Sequence, residues 1–180
     1  MAISERELLE QAQGGDLDAF AEFMRTFERR IRAVCYRLLD DARDVDEAVQ
    51  DTFVQAWRNL DRFRGDAAPY TWLYRIAVNE ALMRRRRKTL PTTELQETNV
   101  SAGEDTFAAA DVRSFLAERL RALPDDYRAA VVLRDVEGLS NEEVAAALEI
   151  SLAAAKSRIH RGRMQLRAEL EQWERPQTDG

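Results

Sequence analysis

One cysteine, one histidine, four prolines and seven glycines are all that 180 residues contain of these types. The single Cys35 excludes an intrachain disulfide, and with His160 as the only histidine a Cys/His zinc cluster is excluded too. Cys35 sits in "IRAVCYRLL" at an apolar helical position, where a core thiol is expected. A run of about 18 apolar residues, the minimum for a membrane span, is missing. The opening "MAISERELLEQ" carries charges where a secretory signal needs an apolar block, so a cytoplasmic protein without membrane insertion is expected. Alternating strand patterns are missing as well. That leaves an all-α chain as the expected fold class.

Charge, by contrast, is abundant, at 33% of residues with a formal net charge of −6. The total conceals a segregation. Residues 1–88 balance 16 Lys/Arg against 16 Asp/Glu, while 89–111 hold five acids and no cation. Residues 84–88 are all cationic, and 151–168 contain five cations and no acid. The segment 40–51, "DDARDVDEAVQD", holds six acids and one arginine. Such patches imply polyanion binding at two places and a basic partner at a third.

Helical periodicity organises the rest. Ser4 caps a short helix that stops at Gly14-Gly15. A long amphipathic helix is expected from about Asp18 to Leu39, with Phe20, Phe23, Phe27, Ile31, Val34 and Leu38 facing inward. A third runs from Ala42 to Leu60, and Pro69 opens a fourth that reaches Lys88. Residues 89–111 combine Pro, Gly and Thr without a basic residue, as a flexible linker would, and extended they reach roughly 75 Å. A second domain, 112–175, begins near Val112 with a helix ending before Pro124 and another reaching Glu137. Ser140 with Glu143 forms a capping box for "NEEVAAAL", and Ser151 caps the last helix. Two small helical domains on a tether result.

The stretch "LSNEEVAAALEISLAAAKSRIHRGRMQLRAEL" has the layout of a helix-turn-helix. On its second helix Leu152, Ala155, Ile159, Leu166 and Leu170 share an inward face. Ala153, Ser157, Arg161 and the neighbouring His160 lie outward, flanked by Lys156 and Arg158, and suit base edges and phosphates. Gly162 is anomalous there, costing about 1 kcal/mol against alanine. In "RFRGDAAPYTWLYRIAVNEALMRRRRK", residues 62–88, Thr71, Arg75 and Asn79 form one polar stripe on a helix otherwise apolar nearly all round. Phe63, Tyr70 and Tyr74 interleave with Arg62, Arg64 and the cationic run, the pattern of a single-strand binder in which rings stack on bases. An asparagine in a pocket can read a flipped base. Trp72 and Ile76 read as core by their spacing.

In this order, "GDLDAFAEFMRTFERRI", "DVDEAVQDTFVQAWRNLDRF", "TWLYRIAVNEALMRRRRK", "LPDDYRAAVVLRDVEGLSNEEVAAALEIS" and "AKSRIHRGRMQLR" resemble the extracytoplasmic-function sigma factors of bacterial RNA polymerase. The resemblance implies a promoter-directing, signal-responsive subunit: 1–88 as region 2, 112–175 as region 4. It implies polymerase docking, on the β′ clamp helices and β subunit, through Asp44, Asp46, Glu47, Gln50, Asp51 and Phe53. It assigns capture of the promoter's minus-ten strand to Arg64, Tyr70, Thr71, Trp72, Arg75, Asn79, Arg84 and Arg85. Reading of the minus-thirty-five duplex falls to Ala153, Ala154, Lys156, Ser157, Arg158, His160 and Arg161. Promoter DNA and core polymerase are the implied partners, with an anti-sigma factor as a further candidate. The chain departs from the family at "LEIS", where a turn glycine is usual, so Glu149 must tolerate a glycine conformation. "SLAAAKSR" and "RGR" also depart.

Two other classes match parts of the sequence. Asp40-Asp41-Ala42-Arg43-Asp44 fits the DDxxD motif of diphosphate enzymes, but a second acidic cluster across a cavity is lacking, so no metal, cofactor or enzymatic activity is expected. A helix-turn-helix repressor would account for the last helix and leave "RRRRK" and the acidic helix unexplained.

Overall fold

The computed structural model describes residues 3–89 and 107–174, which contain helices and no strand. Most of the expected linker therefore lies outside the described residues. Helix α1 (Glu5–Gln13) opens on a complete capping box, with Ser4 Oγ accepting from Glu7 N–H and the Glu7 carboxylate from Ser4 N–H. Asp16 caps α2 (Leu17–Leu38) and Asp41 caps α3 (Ala42–Arg58). A single 3₁₀ turn at Leu60–Arg62 precedes α4 (Pro69–Thr89). The inward residues expected of α2 are all buried, and the Phe23 ring packs tilted against Phe27 with centroids 4.9 Å apart. Cys35 is fully buried and desolvation pushes its thiol up to about 12, an inert core residue.

The second half holds α5 (Phe107–Ala122), α6 (Asp125–Val131) with a π-turn at Val132–Val136, α7 (Asn141–Leu148) and α8 (Leu152–Glu174). Helix α5 opens at Phe107, before the Val112 expected, because "FAAAD" is alanine-rich and alanine is the strongest helix former. Ala155 and Ile159 of α8 are buried, but Leu152 is 37% exposed at the helix mouth. Gly162 has a steric reason. A Cβ there would stand 2.6 Å from Val131 Cγ2 and 3.3 Å from the Tyr127 carbonyl oxygen, so only glycine lets α8 lie this close to α6.

The two halves share a seam. Helix α4 packs on α2 and α3 with one side and on α7 with the other, and one core runs from Leu8 to Ile159. That explains why α4 is apolar nearly all round: it is covered on two faces. At the seam Arg128 is fully buried. It donates to the Leu38 carbonyl at 3.3 Å and the Leu123 carbonyl at 3.4 Å, with Asp40 at 3.9 Å. Desolvation pulls its guanidinium down to about 10, a charge held inside at a cost.

Candidate nucleic-acid interface

Helix α4 places the residues of its polar stripe differently. Asn79 is exposed, Arg75 is partly covered, and Thr71 is 3% exposed. Arg75 lies 3.6 Å from Glu149 across the seam. Trp72 is buried and packs on Phe63 with centroids 5.2 Å apart, as its spacing predicts of a core residue.

The loop before α4 forms a cavity of about 210 Å³ against the helix, with Phe63, Arg64, Thr71, Trp72 and Arg75 in its lining and Ala146 of α7 at its margin. Thr71 Oγ1 is buried there with no hydrogen-bond partner, an acceptor and donor left over. Gly65 holds φ at +77°, and Arg6 Nη2 donates to its carbonyl at 3.1 Å, which fixes the loop from α1. Gln13 Nε2 adds bonds of 2.9 Å to the Leu60 and Phe63 carbonyls. Arg64 stays exposed beside the cavity. Sequence reasoning missed Gly65 and Gln13; "RGD" before a proline-initiated helix was the available signal for the first, and nothing local marks the second.

Three cations of the run, Arg84, Arg85 and Lys88, meet carboxylates, while Arg86 and Arg87 are exposed. Arg84 Nη1 donates to Glu47 at 2.8 Å and Arg84 Nη2 to Asp51, so it lies against the acidic face of α3. Lys88 Nζ lies 2.5 Å from Asp44 and 3.5 Å from Asp41. Arg85 donates to Asp40 at 2.6 Å and to Asp125 of the second half. Much of the need of those acids for a basic partner is thus met by the neighbouring helix. The DDxxD carboxylates are engaged in the same pairs, and among the described residues no group of three metal-ligating side chains is found. Asp46 pairs with Arg32, Gln50 is exposed, and Phe53 is buried. Beside this face Leu17, Val54 and Trp57 stand exposed around a groove of about 1010 Å³ that also takes in Asp46, Gln50 and Asp51. Val54 and Trp57, off the inward stripe of α3, and Leu17 at the start of α2 are residues that sequence reasoning did not single out.

In the second half α7 begins on the Ser140/Glu143 capping box and ends at Glu149, whose φ of 54° and ψ of 44° are left-handed. Ile150 N–H bonds back to the Ala145 carbonyl at 3.0 Å, closing the turn. Ser151 Oγ then accepts from Ala154 N–H at 3.1 Å and starts α8. The outward face of α8 is open: Ala153, Lys156, Ser157, His160 and Arg161 are exposed, and Ala154 is half-covered. Arg158 lies 3.3 Å from Asp126, and Arg161 Nη1 donates to Tyr127 at 3.3 Å.

These features define an all-helical DNA reader, with a helix-turn-helix in one half and an aromatic, arginine-lined cavity in the other. Family models agree with both halves: Sigma-70 region 2 matches residues 23–90 and Sigma-70 region 4 matches residues 116–166. The chain is 33% identical to the ECF RNA polymerase sigma-E factor of Escherichia coli over 89% of this chain and 91% of that one. It is 34% identical to the RNA polymerase sigma-H factor of Pseudomonas aeruginosa over 88% and 90%. Among solved structures it is similar to CnrH in complex with the cytosolic domain of CnrY, at 30% identity and a TM-score of 0.73 over 93% of this chain and 97% of that one. It is also similar to the sigma factor RpoE of Bartonella quintana in complex with the anti-sigma factor NepR, at 26% identity and a TM-score of 0.72 over 86% and 98%. The chain belongs to the extracytoplasmic-function group of the sigma-70 family, and it directs RNA polymerase core to promoters. No described helix is long and apolar enough to cross a membrane.

Proposed function

We propose that, within that promoter-directing role, the two halves divide the promoter between them. Helix α8 reads the minus-thirty-five duplex with Ser157, His160 and Arg161 at base edges, while Lys156 and Arg158 contact phosphates and Ala153 and Ala154 permit close approach. The cavity before α4 takes an unpaired minus-ten base. Its rings supply a stacking wall, Thr71 Oγ1 an unused polar group, and Arg64 and Arg75 the backbone contacts. Asn79 faces the strand one turn further along. Tyr70, Arg84 and Arg85 reach it only by leaving the acids they now hold.

Polymerase docking uses Asp44, Asp46, Glu47, Gln50 and Asp51 together with the apolar groove at Val54 and Trp57. Phe53 supports that face from the core. Domain limits of 1–88 and 112–175, with α5 starting slightly before the second, suit this division. The chain makes and breaks no bond; it supplies recognition, in the cytoplasm, and polymerase supplies the chemistry. An anti-sigma factor is a candidate partner, since CnrH and RpoE have solved structures with protein partners, in RpoE's case the anti-sigma factor NepR.

The observation that carries this reading is the open face of α8 at Ser157, His160 and Arg161, directly after a closed helix-turn-helix turn. Run-off transcription with bacterial core polymerase on a promoter library tests it. Asn79→Ala and Arg161→Ala should each lower initiation by roughly 10- to 100-fold, the effect of a lost base contact. Full activity of both variants would refute these assignments.

A further inference from the structure

Helix α1 lies outside the residues that the region 2 model matches, which begin at 23. Its inner side is occupied with packing: Leu8, Leu9 and Ala12 are buried, and a capping box closes its start. Two of its outer side chains reach elsewhere. Gln13, the last residue of the helix, donates from one amide nitrogen to the Leu60 and Phe63 carbonyls, both at 2.9 Å. Arg6 Nη2 donates to the Gly65 carbonyl at 3.1 Å. These acceptors stand 47 to 59 residues away along the chain, on the loop that leads into α4.

That loop has little to hold it from within. Residues 62–67 form one wall of the cavity before α4. The 3₁₀ turn closes with Phe63 N–H on the Leu60 carbonyl at 3.1 Å. From Arg64 to Ala67 no backbone group pairs with another among the described residues. Such a segment keeps one shape only through partners outside it. Gln13 holds the point where the turn ends, and Arg6 the point where Gly65 bends. A Cβ on Gly65 would stand 2.7 Å from Arg6 Nη1, so glycine there serves both the positive φ and the arginine. Between the two anchors lies Arg64, preceded by Phe63, whose ring packs on Trp72 in the same wall.

We infer that Gln13 and Arg6 are positioning residues for minus-ten capture: α1 braces the loop, so that the cavity is already formed when a base arrives. The inference rests on the reading of that cavity as the site of an unpaired minus-ten base. A wall held in place loses no freedom when the base enters, so the contacts of a correct base go into affinity rather than into ordering the loop. A loose wall shifts to meet either base and accepts the wrong one nearly as well. The brace therefore acts on the choice of base, beyond any contribution to stability.

The test uses the full chain with bacterial core polymerase and run-off initiation on three versions of one responsive promoter. One version is unchanged, one is altered at a single minus-ten base pair and one at a single minus-thirty-five base pair. The two ratios of initiation measure discrimination by each half, and a change common to all three promoters cancels. Gln13→Glu keeps the shape of the side chain and removes both donors, while Arg6→Met keeps the stem at an exposed site and breaks the bond to Gly65. Combined, they should lower minus-ten discrimination about 10-fold, the effect of one or two lost hydrogen bonds, and leave the minus-thirty-five ratio unchanged. Gln13→Lys, which keeps a donor at the same position, should stay near wild type. An unchanged minus-ten ratio, an equal fall in both ratios, or a loss with lysine as large as with glutamate overturns the brace. Thr71→Val removes the unused hydroxyl of the cavity and separates the two readings. If it leaves the minus-ten ratio unchanged, the cavity is not the base site; if it lowers that ratio and the Gln13 and Arg6 variants do not, only the brace falls.

Discussion

Two arginine-bearing helices carry the candidate DNA contacts, and they are built in opposite ways. Helix α4 is covered on two faces, and its Arg84 and Arg85 are spent on Glu47, Asp51, Asp40 and Asp125. Helix α8 buries a narrow face at Ala155 and Ile159 and leaves the opposite face to solvent. A helix that reads duplex DNA needs only its side chains to be accessible, and DNA comes to it. A helix that captures a melted strand presents rings and arginines, and those are the groups that a neighbouring acidic helix can satisfy in the absence of DNA. The difference is one of partners rather than of composition.

The largest expected effect lies at the seam. Arg128→Ala removes the buried side chain that joins α6 to the end of α2, and about 3 kcal/mol of stability should go with it, a fall in Tm of roughly 10 °C by calorimetry. Arg128→Met should recover most of that loss, because burial already disfavours the guanidinium charge. If methionine is as damaging as alanine, the bond to the Leu38 carbonyl matters more than the filled volume.

Next in size is the response to alkali. Burial, then the bond to Glu137, holds the Tyr74 hydroxyl well above its ordinary value of 10.0. Once pH passes about 10 the unfolded tyrosine ionises while the folded one does not, so this contribution is present below that pH and declines above it. The loss should approach about 2 kcal/mol, the size of a hydrogen bond to a charged group. Tyr74→Phe should flatten this part of a pH–Tm profile. At the acid end burial raises Glu143, but bonds from Tyr70 and Ser140 outweigh it and hold the carboxyl below its ordinary 4.5. Its contribution is present above about 4.5 and fades as pH falls through the lower folded value.

Gly162→Ala should act on the second half alone. The added methyl meets Val131 and the Tyr127 carbonyl, and a net loss of about 1 kcal/mol is expected after the gain in helix propensity. Denaturant unfolding followed at Trp173 would report it. The smallest effect belongs to Glu149→Gly. Relief of the left-handed strain should add about 1 kcal/mol, less the roughly 0.5 kcal/mol of an exposed ion pair with Arg75. The turn becomes more stable while the seam loosens slightly. A destabilised protein would show that the ion pair outweighs the strain.

Much was legible in the order of residues because the controlling interactions are local. The capping boxes at Ser4/Glu7 and Ser140/Glu143, the inward stripe of α2, the strained turn at Glu149 and the outward face of α8 all follow from spacings of three to eight residues. Leu152 escaped the inward face because it opens α8, ahead of the turns that Ala155 and Ile159 pack against the rest. The cationic run at 84–88 resembled a free phosphate-binding tail, since nothing within one turn of it is acidic on α4 except Glu80. Its actual partners at 44, 47 and 51 lie on another helix.

By itself, then, the sequence determined an all-helical chain, its caps and turns, and a reader helix whose cations stand without acids beside them. Only the tertiary structure decided that α4 is closed between two layers, that Arg84 and Lys88 answer the acids of α3, and that Glu137, Glu143 and Glu149 face Tyr74, Tyr70 and Arg75. Helical periodicity states that a face is apolar or charged; it carries no term for which distant face will meet it. Pairings across more than sixty residues are settled when whole helices pack, and there the covering of α4 was made.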